Sequence, residues 1–216
     1  MTDNLKTGGD RGYLRIAHMD ETGIDVAILA LPSPGVQPFL DFDEAKHIAT
    51  RANDTLVEAV KAHPTRDHGM GTLAPQDPDW CATEIKRCAA VGLKDVQINS
   101  HSQGHYLDEP QFDPIFRALA DVSQPLYVNP ATLPDSMMSG MIDVGLDGAI
   151  FGFGIETAYD LLRLVTSGLS DRYPDLQVMA GHGCEALPYW MMANMDIPAA
   201  QKKKFFQTNA ERWFEL

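Results

Sequence analysis

Apolar positions along this chain switch between a helical period and short continuous runs, which predicts alternating helices and buried strands. Tyr13–Thr22 has helical spacing and stops at Gly23, a natural C-terminal cap. Residues 24–31, IDVAILAL, read as a strand, and Pro32, Pro34 and Gly35 force a loop after it. Residues 43–63 predict a long amphipathic helix with Ala45, Ile48, Ala52, Leu56 and Val60 on one face, ended at His63-Pro64. The pattern then repeats: strand 69–74, helix 79–90 with Gly92 as its stop, strand 93–99, helix 110–122, strand 125–129. A longer loop rich in Met, Gly and Asp runs to about residue 153. Helix 156–166 follows, then a last strand inside LQVMAGHGCE (176–185) that runs into His182. A Met-rich helix (186–195) and a final helix (199–214), separated at Pro198, are expected to close the chain.

That tally is about five strands, each followed by a helix, the signature of a parallel sheet in one α/β domain spanning 1–216. No low-complexity linker or composition shift marks a second domain. A closed eight-stranded barrel typically takes about 250 residues, so 216 residues suit either an open five-stranded sheet or a barrel with pieces absent.

Composition narrows the function classes. With 44% hydrophobic and 22% charged residues the chain is an ordinary globular protein. No apolar run approaches the roughly 20 residues that span a bilayer. The polar, Gly-rich start MTDNLKTGGDRGY lacks the apolar core of a secretory signal, so no membrane role and a cytoplasmic location are expected. A formal net charge of −13 argues against nucleic acid as a partner. The basic run Lys202-Lys203-Lys204 reads as a solvated helix face rather than a phosphate patch. Three cysteines without a CxxC indicate neither a disulfide framework nor a zinc finger. Cys81 and Cys88, seven apart on a helix, are read as core. Cys184, two residues after His182, is a candidate nucleophile, but a neighbour on a turn usually points elsewhere.

In parallel α/β folds the chemistry sits outside the carboxyl ends of the strands. Those ends here offer Pro32-Ser33, Pro75-Gln76, Asn99-Ser100-His101, Asn129 and His182. The set is polar and, apart from the histidines, neutral. No Asp or Glu stands directly at a strand end, where a metal site or an acid–base pair would want one. His182 followed three residues on by Glu185 is the strongest pair, because a carboxylate can orient an imidazole or share its proton. His101, in the loop NSHSQGHY, reaches either a substrate or only solvent. There is no HxH, HExxH, GxSxG or P-loop, and Gly152-Phe153-Gly154 lacks the context of a nucleotide site.

Several segments together resemble the amidohydrolase-related family of metal-dependent decarboxylases and hydrolases, which includes γ-resorcylate, 2,3-dihydroxybenzoate and aminocarboxymuconate-semialdehyde decarboxylases. They are MDETGIDVAILALPSPGVQ (19–37), ATRANDTLVEAVKAHPTR (49–66), GTLAPQDP (71–78), GLKDVQINSHSQGHYLDEPQFDPIF (92–116), PLYVNP (125–130), FGFGIETAYDLLRLVTSGLSDRYPDLQVMAGHGCEALPYW (151–190) and NAERWFEL (209–216). The resemblance implies a (β/α)8 barrel, here incomplete, with a divalent metal, zinc or manganese. It assigns His182, with Glu185 beside it, as the catalytic acid–base or water-activating group. It makes Asn99 a substrate contact, with His101 and Asn129 as further candidates.

The departures bear on the metal. The family's first-strand Glu-x-His or His-x-His is expected to be absent, as is the eighth-strand aspartate, and the fifth-strand histidine is replaced by Asn129, a weak ligand for a transition metal. The resemblance therefore implies little or no metal in this chain. A histidine without a metal supplies about 10²–10⁴-fold by general acid–base catalysis, so an impaired carboxy-lyase or hydrolase acting on a small carboxylic acid is expected. The alternatives are a non-catalytic small-molecule binder, a subunit paired with itself or with a complete relative, or a truncated product. The loop 131–150 is expected to shape the pocket and carries no cationic group to grip a carboxylate.

Overall fold

The computed structural model describes residues 12–184. The expected helices at 186–195 and 199–214, and Glu185, lie outside the described residues. Helix α1 (Tyr13–Thr22) leads to strand β1 (Ala27–Leu29), α2 (Phe42–Ala62), β2 (Asp67–Thr72), α3 (Pro78–Val91) and β3 (Asp95–Asn99). A small antiparallel ribbon, β4 (His101–Ser102) with β5 (His105–Tyr106), precedes α4 (Asp113–Asp121) and β6 (Leu126–Asn129). Then come α5 (Asp135–Ile142), α6 (Gly152–Thr166), α7 (Leu169–Arg172) and β7 (Val178–Ala180).

The sheet has the order β1-β2-β3-β6-β7, every neighbouring pair parallel. Among the described residues it is open, with β1 and β7 at its edges. Side chains alternate across it, and the register shows what each face carries. Val96 and Ile98 of β3 pair with Leu126 and Val128 of β6, and all four are buried in the main core. There they meet Ile85 of α3, Phe116 and Leu119 of α4 and Leu161 of α6. Full burial of a side chain such as Phe116 is worth about 1.5–3 kcal/mol. The other face carries Ile28 from β1, His68, Met70 and Thr72 from β2, Asp95, Gln97 and Asn99 from β3, Tyr127 and Asn129 from β6, and Met179 from β7. That face is mostly polar, and His68 and Asp95 on it are directly bonded, with His68 Nε2 3.0 Å from Asp95 Oδ2.

Most expected elements form, with differences that have physical causes. Helix α2 starts at Phe42 because Asp41 caps it, accepting from the Asp43 and Glu44 N–H groups. Asp77 caps α3 in the same way, through Trp80 N–H, with Pro78 in the first turn. The buried stripe of α2 is Ala45, Ala49, Asn53 and Val57, rotated from the expected face. Its polar member is accommodated because Asn53 Oδ1 accepts from Thr72 N–H at 2.7 Å while Nδ2 donates to Thr72 O and Glu84 Oε1. Helix α5 occupies part of the stretch expected as loop, and α6 begins at Gly152 rather than Glu156. Cys81 and Cys88 are core residues as expected. Burial lifts both thiols, Cys88 to about 12.

Candidate functional site

The carboxyl ends of β3 and β6 meet side by side, with Asn99 and Asn129 as register partners. Their amides are joined: Asn129 Nδ2 donates to Asn99 Oδ1 at 3.2 Å. Asn99 Nδ2 in turn donates to Pro34 O at 3.0 Å. Asn99 is buried and Asn129 half-buried, so the two present a neutral, dipolar floor at the strand ends.

The loop after β1 is drawn over this end of the sheet by side-chain amides. Gln97 donates to Leu31 O, Gln76 to the carbonyls of Val36, Gln37 and Phe39, and Gln103 to Phe39 O. Gln37 reaches back: its Oε1 accepts from Asn99 N–H at 2.7 Å and its Nε2 donates to the Asn99 and His101 carbonyls. It supplies the peptide-like partner that the end of β3 would otherwise lack. Sequence reasoning did not single out these glutamines, and only Gln76, at a strand end, gave any signal.

His101 is half-buried at the start of β4. Its Nδ1 accepts from Gly104 N–H at 3.0 Å, so the neutral ring carries its proton on Nε2, which donates to Thr132 O at 2.8 Å. Both ring nitrogens are engaged by the main chain, and the ring ties the β4–β5 ribbon to the segment after β6.

His182 lies two residues beyond β7, in the 3-10 turn Gly181–Cys184, rather than at the end of the strand itself. The chain reaches this point through Gly181, where a Cβ would stand 2.9 Å from Val128 O and 3.1 Å from Pro130 Cδ. A side chain there would collide with the end of β6, so glycine lets the two strand ends close up. His182 follows with φ 53°, in the left-handed region, and its side chain is exposed. Holding a non-glycine residue there costs about 1 kcal/mol or more. The structure brings Asn99 and Asn129 together and sets His182 on the neighbouring strand end. It leaves His101 bonded to backbone behind them, and Glu185 lies outside the described residues.

A buried polar cluster lies under this rim. Glu156 of α6 accepts from Ser100 Oγ at 3.0 Å and from Tyr106 Oη at 2.9 Å. Burial pushes its carboxyl up, against the pull of those donors. Burial also pushes the Tyr106 phenol up, helped by the Glu156 charge. One turn along the helix, Asp160 accepts from Leu107 N–H through Oδ1 while its buried Oδ2 has no partner. Burial raises this carboxyl well above the ordinary range. Among the described residues no three His, Cys, Asp or Glu side chains converge as a metal site requires. A surface groove of about 490 Å³ opens at the opposite end of the sheet, beside Gln124, Pro125 and Leu176. It holds none of the strand-end groups, and the strand ends are the better place for chemistry.

The pattern of the amidohydrolase family matches residues 6–197. A 5-carboxyvanillate decarboxylase variant from Novosphingobium aromaticivorans, solved with manganese and 3-methoxy-4-hydroxy-5-nitrobenzoic acid, is 47% identical. That likeness has a TM-score of 0.85 and covers 96% of this chain and 82% of that one. A dihydroxybenzoic acid decarboxylase from Polaromonas sp., solved with manganese and 2-nitroresorcinol, is 37% identical with a TM-score of 0.80. It covers 84% of this chain and 57% of its own. The γ-resorcylate decarboxylase of Polaromonas sp. is 38% identical over 206 residues, 87% of this chain and 63% of that relative. The chain therefore spans just under two thirds of that relative's length. The five parallel strands and their helices correspond to part of a (β/α)8 barrel. From a family match along most of its length and a close structural likeness to decarboxylases of that fold, this chain belongs to the amidohydrolase family.

Proposed function

We propose that this chain carries the arene-carboxylate site of a decarboxylase for small hydroxylated aromatic acids, with His182 as its proton donor. The observation behind this reading is His182 itself, held at φ 53° beside the strand ends that present Asn99 and Asn129. Residues held in costly backbone conformations cluster at active sites. The relatives support the substrate class, since 5-carboxyvanillate and γ-resorcylate decarboxylases are named for such acids.

In this arrangement the amides of Asn99 and Asn129 orient the carboxylate and its neighbouring hydroxyl. The bond between ring carbon and carboxylate breaks with its electron pair left on the ring. The His182 imidazolium delivers a proton to that carbon, and carbon dioxide departs. Manganese is present in the two related structures described above, where a divalent ion can polarise bound oxygens. The described residues do not fit such an ion: the strand ends offer amides, and Asn129 is a weak transition-metal ligand. No step here passes through a metal, and turnover is expected to be slow. Asn129 favours a second reading, in which the same acids are bound without turnover, as in a subunit paired with another copy or a complete relative.

The test is incubation of the full chain with 5-carboxyvanillate and 2,6-dihydroxybenzoate, with and without added manganese. Products are followed by chromatography and binding by calorimetry. Slow turnover that falls about 100-fold in His182→Ala, with binding retained, supports the first reading. Saturable binding without turnover supports the second, and neither binding nor turnover overturns both.

A further inference from the structure

We propose that Glu156 is a positioning residue for the arene-acid site, acting through Ser100 to hold the Asn99–Asn129 amide pair in place. This rests on the functional reading above for what the pair binds, but its geometric content stands separately. Glu156 and Ser100 are completely buried. The hydroxyl of Ser100, immediately after Asn99, donates to Glu156 Oε1 at 3.0 Å and accepts from Ala131 N–H at 3.2 Å. One hydroxyl thus links the residue after Asn99 to the segment just beyond Asn129. Ser100 N–H also donates to Asn129 O at 2.9 Å, so the two strand ends are tied at main chain and side chain.

The carboxylate gives this tie its direction. A serine hydroxyl has one proton, and with Glu156 taking it the lone pairs turn toward the Ala131 N–H. Without an acceptor on α6 the hydroxyl can rotate, and the Ala131 amide loses its fixed partner. The second oxygen of Glu156 takes the Tyr106 hydroxyl at 2.9 Å. Tyr106 belongs to the β4–β5 ribbon, whose His101 bonds Thr132 O, so this contact braces the same segment from its other side. Glu156 is therefore the junction at which α6, the end of β3 and the segment after β6 meet. Asp160 does not share this role, because its one bond is to Leu107 N–H, away from the strand ends. A carboxylic side chain is costly to bury, and joining two hydroxyls at one point beneath the rim gives a reason for placing it there.

The experiment compares the full chain with Glu156→Leu, Glu156→Gln and Ser100→Ala. Two readouts are taken: the 15N–1H spectrum, and the affinity for 4-hydroxy-3-methoxy-5-nitrobenzoic acid, corrected for the folded fraction. Glu156→Leu removes the acceptor at similar volume, whereas Glu156→Gln keeps a carbonyl for Ser100. The expected result is displacement of the Ala131 amide signal and of the Asn99 and Asn129 side-chain signals in Glu156→Leu and Ser100→Ala. Signals of α2 stay in place, affinity falls about tenfold, and Glu156→Gln restores most of both. If Glu156→Leu lowers the melting temperature while the three signals and the affinity hold, Glu156 is only structural and the proposal is overturned. If Glu156→Leu does not fold, Ser100→Ala decides by the same criteria. If the unaltered protein binds no arene acid, the functional reading falls, and the spectra alone decide whether Glu156 positions the pair.

Discussion

The two faces of the sheet obey the same alternation and do opposite things. On the helix-covered face, Val96, Ile98, Leu126 and Val128 are buried among apolar side chains. Their contribution comes from burial and packing, which depend on area and volume more than on direction. On the other face, Gln97, Asn99 and Asn129 are held by directed hydrogen bonds that fix orientation while contributing little net stability. One strand thus serves both purposes: β3 places Ile98 in the core and, one residue later, Asn99 at the site. A change on one face should show mainly as stability, and a change on the other mainly as binding.

The sharpest way to break that division is Phe116→Ala, in the main core. It should cost about 3–5 kcal/mol of stability in urea titration, and arene-acid affinity per folded molecule should hold. A loss of affinity as large as the loss of stability would merge the two faces. The next largest effect is a pH slope. Asp160 has its native carboxyl raised by burial, so the folded chain keeps a proton that the unfolded chain has released. Its contribution to stability is present below the ordinary carboxylate range and is lost as pH rises through the raised native value. Unfolding free energies from urea titration across pH should therefore fall less steeply in Asp160→Asn, by up to about 1.4 kcal/mol per pH unit. An unchanged slope would remove Asp160 as its source.

Asn99→Ala tests the polar face. It removes the bonds to Pro34 and Asn129, about 1 kcal/mol of stability, yet it should weaken arene-acid binding far more than Phe116→Ala does. Calorimetry on both variants checks the ordering. The smallest effect is expected at Asp77→Ala, which removes the cap of α3, about 1 kcal/mol or less for a partly exposed cap. Asp77 is held below the ordinary carboxylate value by the Trp80 N–H and by Lys46. Its contribution is thus present at neutral pH and disappears on acidification through the lowered native value, opposite in sign to Asp160. Binding should not change.

The apolar face was the more legible of the two. Residues 93–99 and 125–129 announced strands because apolar runs between helical stretches have few other solutions, and β3 and β6 lie within them. Gly23 and Gly92 marked helix ends, and both cap their helices in the left-handed region. The turn chemistry was harder to read. The ribbon His101–Tyr106 is too short to carry a period, and the Met-rich helix Asp135–Ile142 lacks a side-chain cap to announce it. At the site, Asn99, Asn129 and His182 were visible as polar residues after apolar strands. Ser100 showed only as part of the polar end Asn99-Ser100-His101, and Gln37 and Glu156 not at all, because each acts on a partner more than 30 residues away. Helical spacing alone makes Glu156 look like any acidic residue in a first turn. Only the packing of α6 reveals that it is buried.

The backbone at His182 also limits what redesign can place there. A left-handed residue after a glycine with no room for a side chain admits a short list of occupants, led by glycine, asparagine, aspartate and histidine. Among these, aspartate and histidine are the proton donors, so the local dihedral restricts the choice of acid before any substrate is bound. An engineered variant seeking a different proton donor could take aspartate with the turn intact. A β-branched residue such as threonine would have to rotate the peptide, moving the strand end on which the donor stands.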